Sequence, residues 1–348
     1  MYTRLLPPVD QRTMASQLIA EIGQAHDGSL GMAHAFIDAI ASAGAQVAKF
    51  QMHLAHAESS PWEPFRTPFS YEDTTRQDYW RRMEFTEEQW VGLRDHCKEK
   101  GIECLVTPFS LAAVECIEHL GLSRYKLGSA DLCNSLLLDR IARTRKPVLL
   151  SSGMSDWSGL DRAVAGVKRY HDAISIFQCT TAYPCPPEAW GLHCIPVIAR
   201  RYGFPVGYSD HSGCIHAGIA ARALGAEIIE VHVCFDRRMF GPDVKASLTI
   251  DELTALRKGL DMLDRAEAPC QDKPAAPDVQ NLKQVFGRSL ATNKNLQTGQ
   301  SIGLEDLEAK KPAGRGIPVS EYERVLGKRL IRDLAAWEFI QWDDVAGE

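Results

Sequence analysis

Long apolar runs are missing. Nowhere in the 348 residues do about 18 apolar side chains follow one another, so the sequence offers no membrane-spanning segment. A basic excess is missing too. Lys and Arg total 39 against 45 Asp and Glu, a formal net charge of −6, without the clustered positive face of a nucleic-acid binder. Any anionic ligand must be held by particular lysines and dipoles rather than by overall charge. The opening MYTRLLPPVDQRTMASQ has no apolar stretch of signal-peptide length and no small-residue cleavage site, so the expected location is cytoplasmic. No CxxC pair occurs among the 10 cysteines, which are scattered and in several cases embedded in apolar runs. That is the pattern of reduced buried thiols rather than of disulfides or a zinc cluster. No GxGxxG follows the first strand-like run, which removes the usual dinucleotide fingerprint.

What is present is a repeated alternation. Short runs rich in Val, Ile, Leu and Phe fall at 17–23, 46–52, 103–109, 124–129, 147–153, 174–180, 205–211 and 227–233. They lack strict polar alternation, as strands of a parallel sheet buried on both faces do. Helical periodicity fills the gaps. In 30–44, Phe36, Ile37, Ile40 and Ala41 share a face and Gly44 is a stop; in 84–101, Thr86 and Gln89 predict a capping box, closed by Gly101. The last of the series is 248–266. Eight strand–helix units in this length predict a (β/α)₈ TIM barrel over residues 1–266. Residues 53–83 are too long for a simple loop and, following the second strand, are expected to form a lid or substrate wall on the functional face. A proline-bearing linker at 267–281 then leads to a small domain of short mixed strands at 282–348.

In such a barrel, chemistry collects where strands end. Those ends carry Glu21, Gln24, His26, Lys49, Gln51, Thr107, Lys126, Ser129, Asp131, Ser151, Ser152, Thr180, Thr181, Tyr183, Ser209, Asp210, His211, Glu230 and His232. A barrel built only for packing has no need of ionisable groups at nearly every strand end. Lys49 and Lys126 lie inside strands, where an ammonium is costly unless an anion accompanies it, and Thr107, Ser129, Ser151 and Ser209 add neutral donors around them. Two cations and a ring of donors suit a small phosphate-carboxylate ligand. His211 and His232 end adjacent strands, an arrangement able to hold a divalent ion, Mn²⁺ or Mg²⁺, whose other positions belong to water or substrate oxygens.

The strings IAEIG with HDG (19–28), AKFQ (48–51), TPFS (107–110), YKLGSAD (125–131), LSSGM (150–154), QCTTAYP (178–184), GYSDHS (207–212) and EVHVCFDRRMFGPDVKASL (230–248) resemble, in order and spacing, the sialic acid synthase family. RSLATNKNLQTGQSI (288–302) and KKPAGRGIP (310–318) resemble the antifreeze-like (SAF, β-clip) domain that follows the barrel in that family. The resemblance implies condensation of phosphoenolpyruvate with an N-acylated hexosamine of the N-acetylmannosamine type, giving a nine-carbon 2-keto-3-deoxy acid. By the same resemblance Lys49, Thr107, Lys126, Ser129, Ser151 and Ser209 hold phosphoenolpyruvate, and His211 and His232 hold the metal. Gln51, Asp131, Thr181, Tyr183 and Asp243 meet the sugar, and Glu21 sits at the site floor. It also implies a domain-swapped homodimer in which the small domain caps the partner's barrel.

The chain departs from the family pattern at Ala25-His26, at Asp131 where Glu is common, at Thr181 where Asn is frequent, and at Lys310-Lys311-Pro312-Ala313 where an Arg is usual. Lysine does not reproduce a guanidinium fork, and Lys311 and Arg315 both remain candidates for that cap position. These changes fall on sugar-reading positions and leave the phosphoenolpyruvate and metal positions intact. The same chemistry on a 6-deoxy-diacetamido sugar, giving a pseudaminic- or legionaminic-type acid, is therefore the nearest alternative. A metal-dependent hydrolase would need an HxH pair on the first strand, which is absent. A non-catalytic glycan- or ice-binding protein would not need the strand-end lysines and histidines.

Overall fold

The computed structural model describes residues 15–67, 69–266 and 278–347, in two compact units, Met1–Pro269 and Cys270–Glu348. Eight strands of the first unit run parallel in chain order: β1 Gln17–Gly23, β2 Val47–Met52, β3 Glu103–Pro108, β4 Tyr125–Leu127, β5 Val148–Ser151, β6 Ile174–Cys179, β7 Val206–Asp210 and β8 Ile228–Cys234. Pairing of β8 back onto β1 closes the barrel, with Ile19 opposite Glu230 and Glu21 opposite His232. The outer core forms where the helices lie on the strands. Helix Leu30–Ser42 buries Phe36, Ile37 and Ile40 and is capped by the Ser29 side chain. Helix Glu87–Glu99 starts with the predicted capping box, Thr86 with Gln89, and Gly101 follows its end at φ 71°, a left-handed conformation that glycine adopts without strain.

Successive strand residues point to opposite faces, and that parity builds the site. Ile19, Val47, Leu105, Leu149, Phe177 and Ile228 form one buried cluster inside the barrel. Two residues further along the same strands stand Glu21, Lys49, Thr107, Ser151, Cys179 and Glu230, all of which line the cavity above. β7 contributes no side chain to the lower layer. A Cβ on Gly207 would lie 2.5 Å from the Phe177 ring, so the bare backbone there is what admits the phenyl group into the barrel axis.

The segment after β2 folds on itself. Helices Ala55–Glu58 and Arg76–Met83 bury Ala55, Tyr79, Trp80 and Met83 with Phe65 and Phe69 packed against them, a small core separate from the barrel's. In the second unit, helix Val279–Phe286 precedes an antiparallel pair, β9 Ser289–Thr292 and β10 Leu307–Lys310, around Leu290, Leu296, Ile302, Ile317, Val325, Leu330, Leu334, Ile340 and Val345. Of the linker expected at 267–281, residues 267–277 lie outside the described residues. Val279 already begins a helix, whose Gln284 carbonyl accepts from the Ala313 amide at 3.1 Å, so this element starts ahead of the expected boundary at 282. The neighbouring prolines hide its short apolar pattern. Among the described residues no helix is long and apolar enough to cross a membrane, and nine cysteines are free; Cys270 lies outside them.

Replacing Gly207 by Val forces a branched side chain into the Phe177 ring. Overpacking of this kind costs about 1–3 kcal/mol or more, and in a domain of this size the melting temperature should fall by roughly 2 °C or more. A thermal melt that matched the unaltered protein would contradict this account of the barrel interior.

Candidate active site

At the C-terminal ends of the strands lies a cavity of about 550 Å³. The barrel residues given a ligand or metal role from the sequence all line it: Glu21, Lys49, Gln51, Thr107, Lys126 and Ser129, with Asp131, Ser151, Thr181, Tyr183, Ser209, His211, His232 and Asp243. Lys311 and Arg315 belong to the second unit. There the Lys311 ammonium lies 5.2 Å from the Phe286 ring centre and the Arg315 amide donates to Ser289 Oγ at 3.2 Å. Some polar strand-end residues turn away from the cavity, as their parity requires. Asp210 accepts from Ser212 (2.8 Å), Ser152 donates to the Phe177 carbonyl (2.9 Å), and Thr180 donates to the Ala189 carbonyl (2.7 Å). His26 is buried against Phe85 with Nδ1 accepting from the Gly28 amide, which makes it a packing residue.

The floor holds a chain of alternating charges. Lys49 Nζ pairs with Glu21 Oε2 and lies 3.8 Å from Glu230 Oε1; Lys126 Nζ lies 3.1 Å from the same Glu230 oxygen. These side chains are all at most 6% exposed. The anions expected to accompany the two lysines are not left to a ligand alone: each lysine has a buried carboxylate partner, and two ammonium groups with two carboxylates sum to zero formal charge. Burial alone would lower the Lys49 pKa, but Glu21 and Glu230 outweigh it and hold it above its ordinary value. Burial pulls the other way on Glu230, where Lys126 and Lys49 prevail and keep the carboxyl ionised. Lys126 also donates to Ser151 Oγ (2.7 Å), and Ser209 Oγ donates to Glu230 (3.1 Å). Thr107 Oγ1 and Glu230 Oε2 are buried with no hydrogen-bond partner. Buried polar atoms left unmatched are costly, and on the floor of a cavity they mark where a ligand would satisfy them.

On one side of the floor Ser129 Oγ accepts from the Gly153 amide (3.1 Å) and donates to Cys179 Sγ (3.4 Å). A Cβ on Gly153 would sit 2.6–2.9 Å from Thr181 Oγ1, Ser129 Oγ and Cys179 Sγ, so glycine is what lets these groups converge. Burial raises the Asp131 pKa, opposed by a hydrogen bond from Asn134 and reinforced by the Glu58 charge. On the other side the His211 and His232 rings lie 5.4 Å apart between centres. His211 Nδ1 donates to the Thr180 carbonyl at 2.8 Å, which leaves Nε2 as the lone-pair nitrogen, and the Tyr183 hydroxyl lies 2.9 Å from it. Burial, then the neighbouring His232, brings the His211 pKa down to about 3, so the ring is neutral; burial raises Tyr183, so the phenol keeps the proton it donates. Asp243 Oδ2 lies 4.0 Å from His232 Nδ1. Among the described residues no group of three or more His, Cys, Asp or Glu is assembled for a metal ion. What exists is a pair of imidazoles, an open site that a divalent ion would complete with water and substrate oxygens.

The segment after β2 forms the remaining wall, contributing His53, Glu58, Glu63, Arg66, Thr67, Phe69, Arg76, Tyr79 and Trp80. Arg66 reaches across to Asp243 (2.7 Å) and lies 4.2 Å from the Tyr183 ring centre. None of these residues was named individually from the sequence, which offered only the expectation of a wall. His53 was within reach of it, because it continues the two-residue alternation Lys49, Gln51, His53; Glu230 was named as a strand-end residue but given no role. Arg66, Arg76 and Trp80 belong to no strand, and no periodic signal marks them.

Residues 36–271 match the NeuB family and residues 287–346 the SAF domain. The chain is 31% identical to the N,N'-diacetyllegionaminic acid synthase of Campylobacter jejuni, over 93% of this chain and 98% of that one. It is 29% identical to the N-acetylneuraminate-9-phosphate synthase of Mus musculus, over 90% of this chain and 88% of that one. Among solved structures, the N-acetylneuraminic acid (sialic acid) synthetase of Leptospira borgpetersenii superposes with a TM-score of 0.70 at 29% identity, covering 78% of this chain and 91% of that one. With both domains matched in order, on a closed barrel whose strand ends carry this polar floor, the chain belongs to the NeuB family and is an enzyme of the sialic acid synthase type.

Proposed function

We propose that the protein condenses phosphoenolpyruvate with the open-chain aldehyde of an N-acylated hexosamine of the N-acetylmannosamine type, forming a nine-carbon 2-keto-3-deoxy acid and releasing phosphate. The observation that carries this is the floor: Lys49 and Lys126, buried within one ion chain, beside the unpartnered hydroxyl of Thr107. An ammonium has three N–H donors, and Lys126 commits two of them, to Ser151 and Glu230. Lys49 commits one, to Glu21. Donors therefore remain for the carboxylate and phosphate oxygens of the substrate.

In this reading C3 of phosphoenolpyruvate attacks the aldehyde carbon, and the positive charge that develops at C2 faces the floor carboxylates. Water adds at C2, oriented by a hydrogen bond to Glu230 Oε2, and the tetrahedral intermediate expels phosphate to leave the ketone, the two protons of the water ending on the alkoxide left by the aldehyde and on the departing phosphate. Gln51, Asp131, Thr181, Tyr183 and Asp243 hold the sugar's hydroxyl and acyl groups. His211 and His232 would hold a divalent ion, Mn²⁺ or Mg²⁺, which supplies Lewis acidity toward the aldehyde oxygen. Tyr183 gives up its hydrogen bond to His211 when that nitrogen is used.

Phosphate release from phosphoenolpyruvate, followed against a panel of N-acyl hexosamines, tests the reaction directly. Release with N-acetylmannosamine is expected. Release only with a 2,4-diacetamido-6-deoxy sugar would move the acceptor to that class, and no release with any aldose would end the proposal. Charge-assisted hydrogen bonds are worth about 1.5–3 kcal/mol, so Lys126→Met should raise the phosphoenolpyruvate KM by roughly 10- to 100-fold. It should also lower the melting temperature, because Glu230 loses a partner. The Lys126→Met/Glu230→Gln pair should recover much of the melt and none of the affinity; recovered affinity would mean that Lys126 serves only the fold. Finally, chelation of divalent ions, and separately His232→Ala, should abolish turnover without changing the circular dichroism spectrum. Full activity after exhaustive chelation would remove the metal from the mechanism.

A further inference from the structure

The hydrogen bonds that start at the floor continue along β2 into the wall, and their directions are forced. Glu21 Oε1 belongs to the carboxyl group that pairs with Lys49 and so accepts; Gln51 must therefore turn its amide nitrogen toward it, at 2.9 Å. Gln51 Oε1 then faces Gln24 Nε2 at 3.2 Å and His53 Nε2 at 3.1 Å, both of which have to donate. The Tyr79 hydroxyl, donating to Gln24 Oε1 at 3.0 Å, fixes the Gln24 amide in the same sense. His53 thus donates from Nε2, while its Nδ1 shares a proton with Glu58 Oε1 at 2.6 Å. The imidazole is 5% exposed and stacks on Trp80 at 3.8 Å and on Phe109 at 4.6 Å between ring centres, within 13° of parallel to each. Hydrogen bonds on both nitrogens and rings against its faces leave it one orientation.

We propose that His53, backed by Glu58, is a positioning residue for the condensation: it locks the Gln51 carboxamide so that its NH₂ group serves Glu21 with one hydrogen and the sugar with the other. Gln51 then recognises an oxygen acceptor on the substrate, a hydroxyl or an acyl carbonyl, and discriminates against a group at that position able only to donate. Without Nε2–H from His53, the carboxamide oxygen keeps only Gln24 as a donor, and the orientation that serves Glu21 and the sugar is held less firmly. This rests on the reaction proposed above, which places the sugar beside Gln51.

His53→Phe is the informative variant, since the phenyl ring keeps the stacking and removes both hydrogen bonds. In a phosphate-release assay with phosphoenolpyruvate and N-acetylmannosamine, the sugar KM should rise about tenfold, the equivalent of one such bond. The phosphoenolpyruvate KM should stay within about twofold, a difference that a general loosening of the wall would not produce. His53→Phe combined with Gln51→Ala should be no worse for the sugar than Gln51→Ala alone. An unchanged sugar KM, an equal rise in both KM values, or additive losses in the double variant would each overturn the role. A second measurement is independent of turnover. In ¹⁵N–¹H spectra of the ligand-free protein, the side-chain amide pair that disappears in Gln51→Ala should shift in His53→Phe, and an unmoved pair overturns the proposal. If the unaltered enzyme releases no phosphate with this sugar, the choice of acceptor fails while the amide spectrum still decides the role of His53.

Discussion

The constraint on which the rest of the site depends is the burial of Glu21, Lys49, Glu230 and Lys126 in one contiguous ion chain. A single buried ammonium is prohibitive, and a buried pair returns its desolvation cost only when geometry and hydrogen bonding are good. Here the carboxylates are shared: Glu230 Oε1 faces both lysines and also receives Ser209. The arrangement holds four ionised groups at the bottom of a cavity without a net charge. That reconciles an acidic chain of net charge −6 with a site suited to anions. Attraction for an anionic ligand then comes from uncommitted N–H and O–H donors rather than from a positive field, so binding should be selective for shape and oxygen placement more than for charge alone.

Around this floor the barrel works by parity. The inner apolar layer and the charged layer above it are two residues apart on the same strands, so one periodicity seals the barrel below and builds the receptor above. The glycines at the critical positions serve the same end in different ways. Gly207 admits the Phe177 ring into the axis, and Gly153 lets Ser129, Thr181 and Cys179 converge. Lys126 lies 5.0 Å from the Phe177 ring centre, so the aromatic group that plugs the barrel also faces an ammonium of the floor.

Much of this was legible in the sequence, for identifiable reasons. Strands buried on both faces appear as unbroken apolar runs, and the eight runs predicted overlap the eight strands observed, to within two residues at their ends. The strand-end polar residues were legible because parallel barrels place them on one face, and all the barrel residues singled out from them meet in one cavity. Two things were not legible. Pairing is a property of three dimensions, and nothing in the local sequence of Lys49 or Lys126 announces that Glu21 and Glu230, on other strands, neutralise them. The wall after β2 has no period to read. Its aromatic and arginine residues acquire meaning only when Tyr79, Trp80 and Met83 are seen to bury one another.

That small separate core has a consequence for which changes the site tolerates. The floor is made by strands of the barrel and any change there disturbs the hydrogen-bonded sheet. The wall is one contiguous stretch of chain with its own packing, attached to the barrel at the end of β2 and the start of helix Glu87–Glu99. It is therefore a semi-independent unit: changes confined to its own core can reshape the rim of the cavity, whereas His53, Tyr79 and Arg66 tie it to the residues beneath.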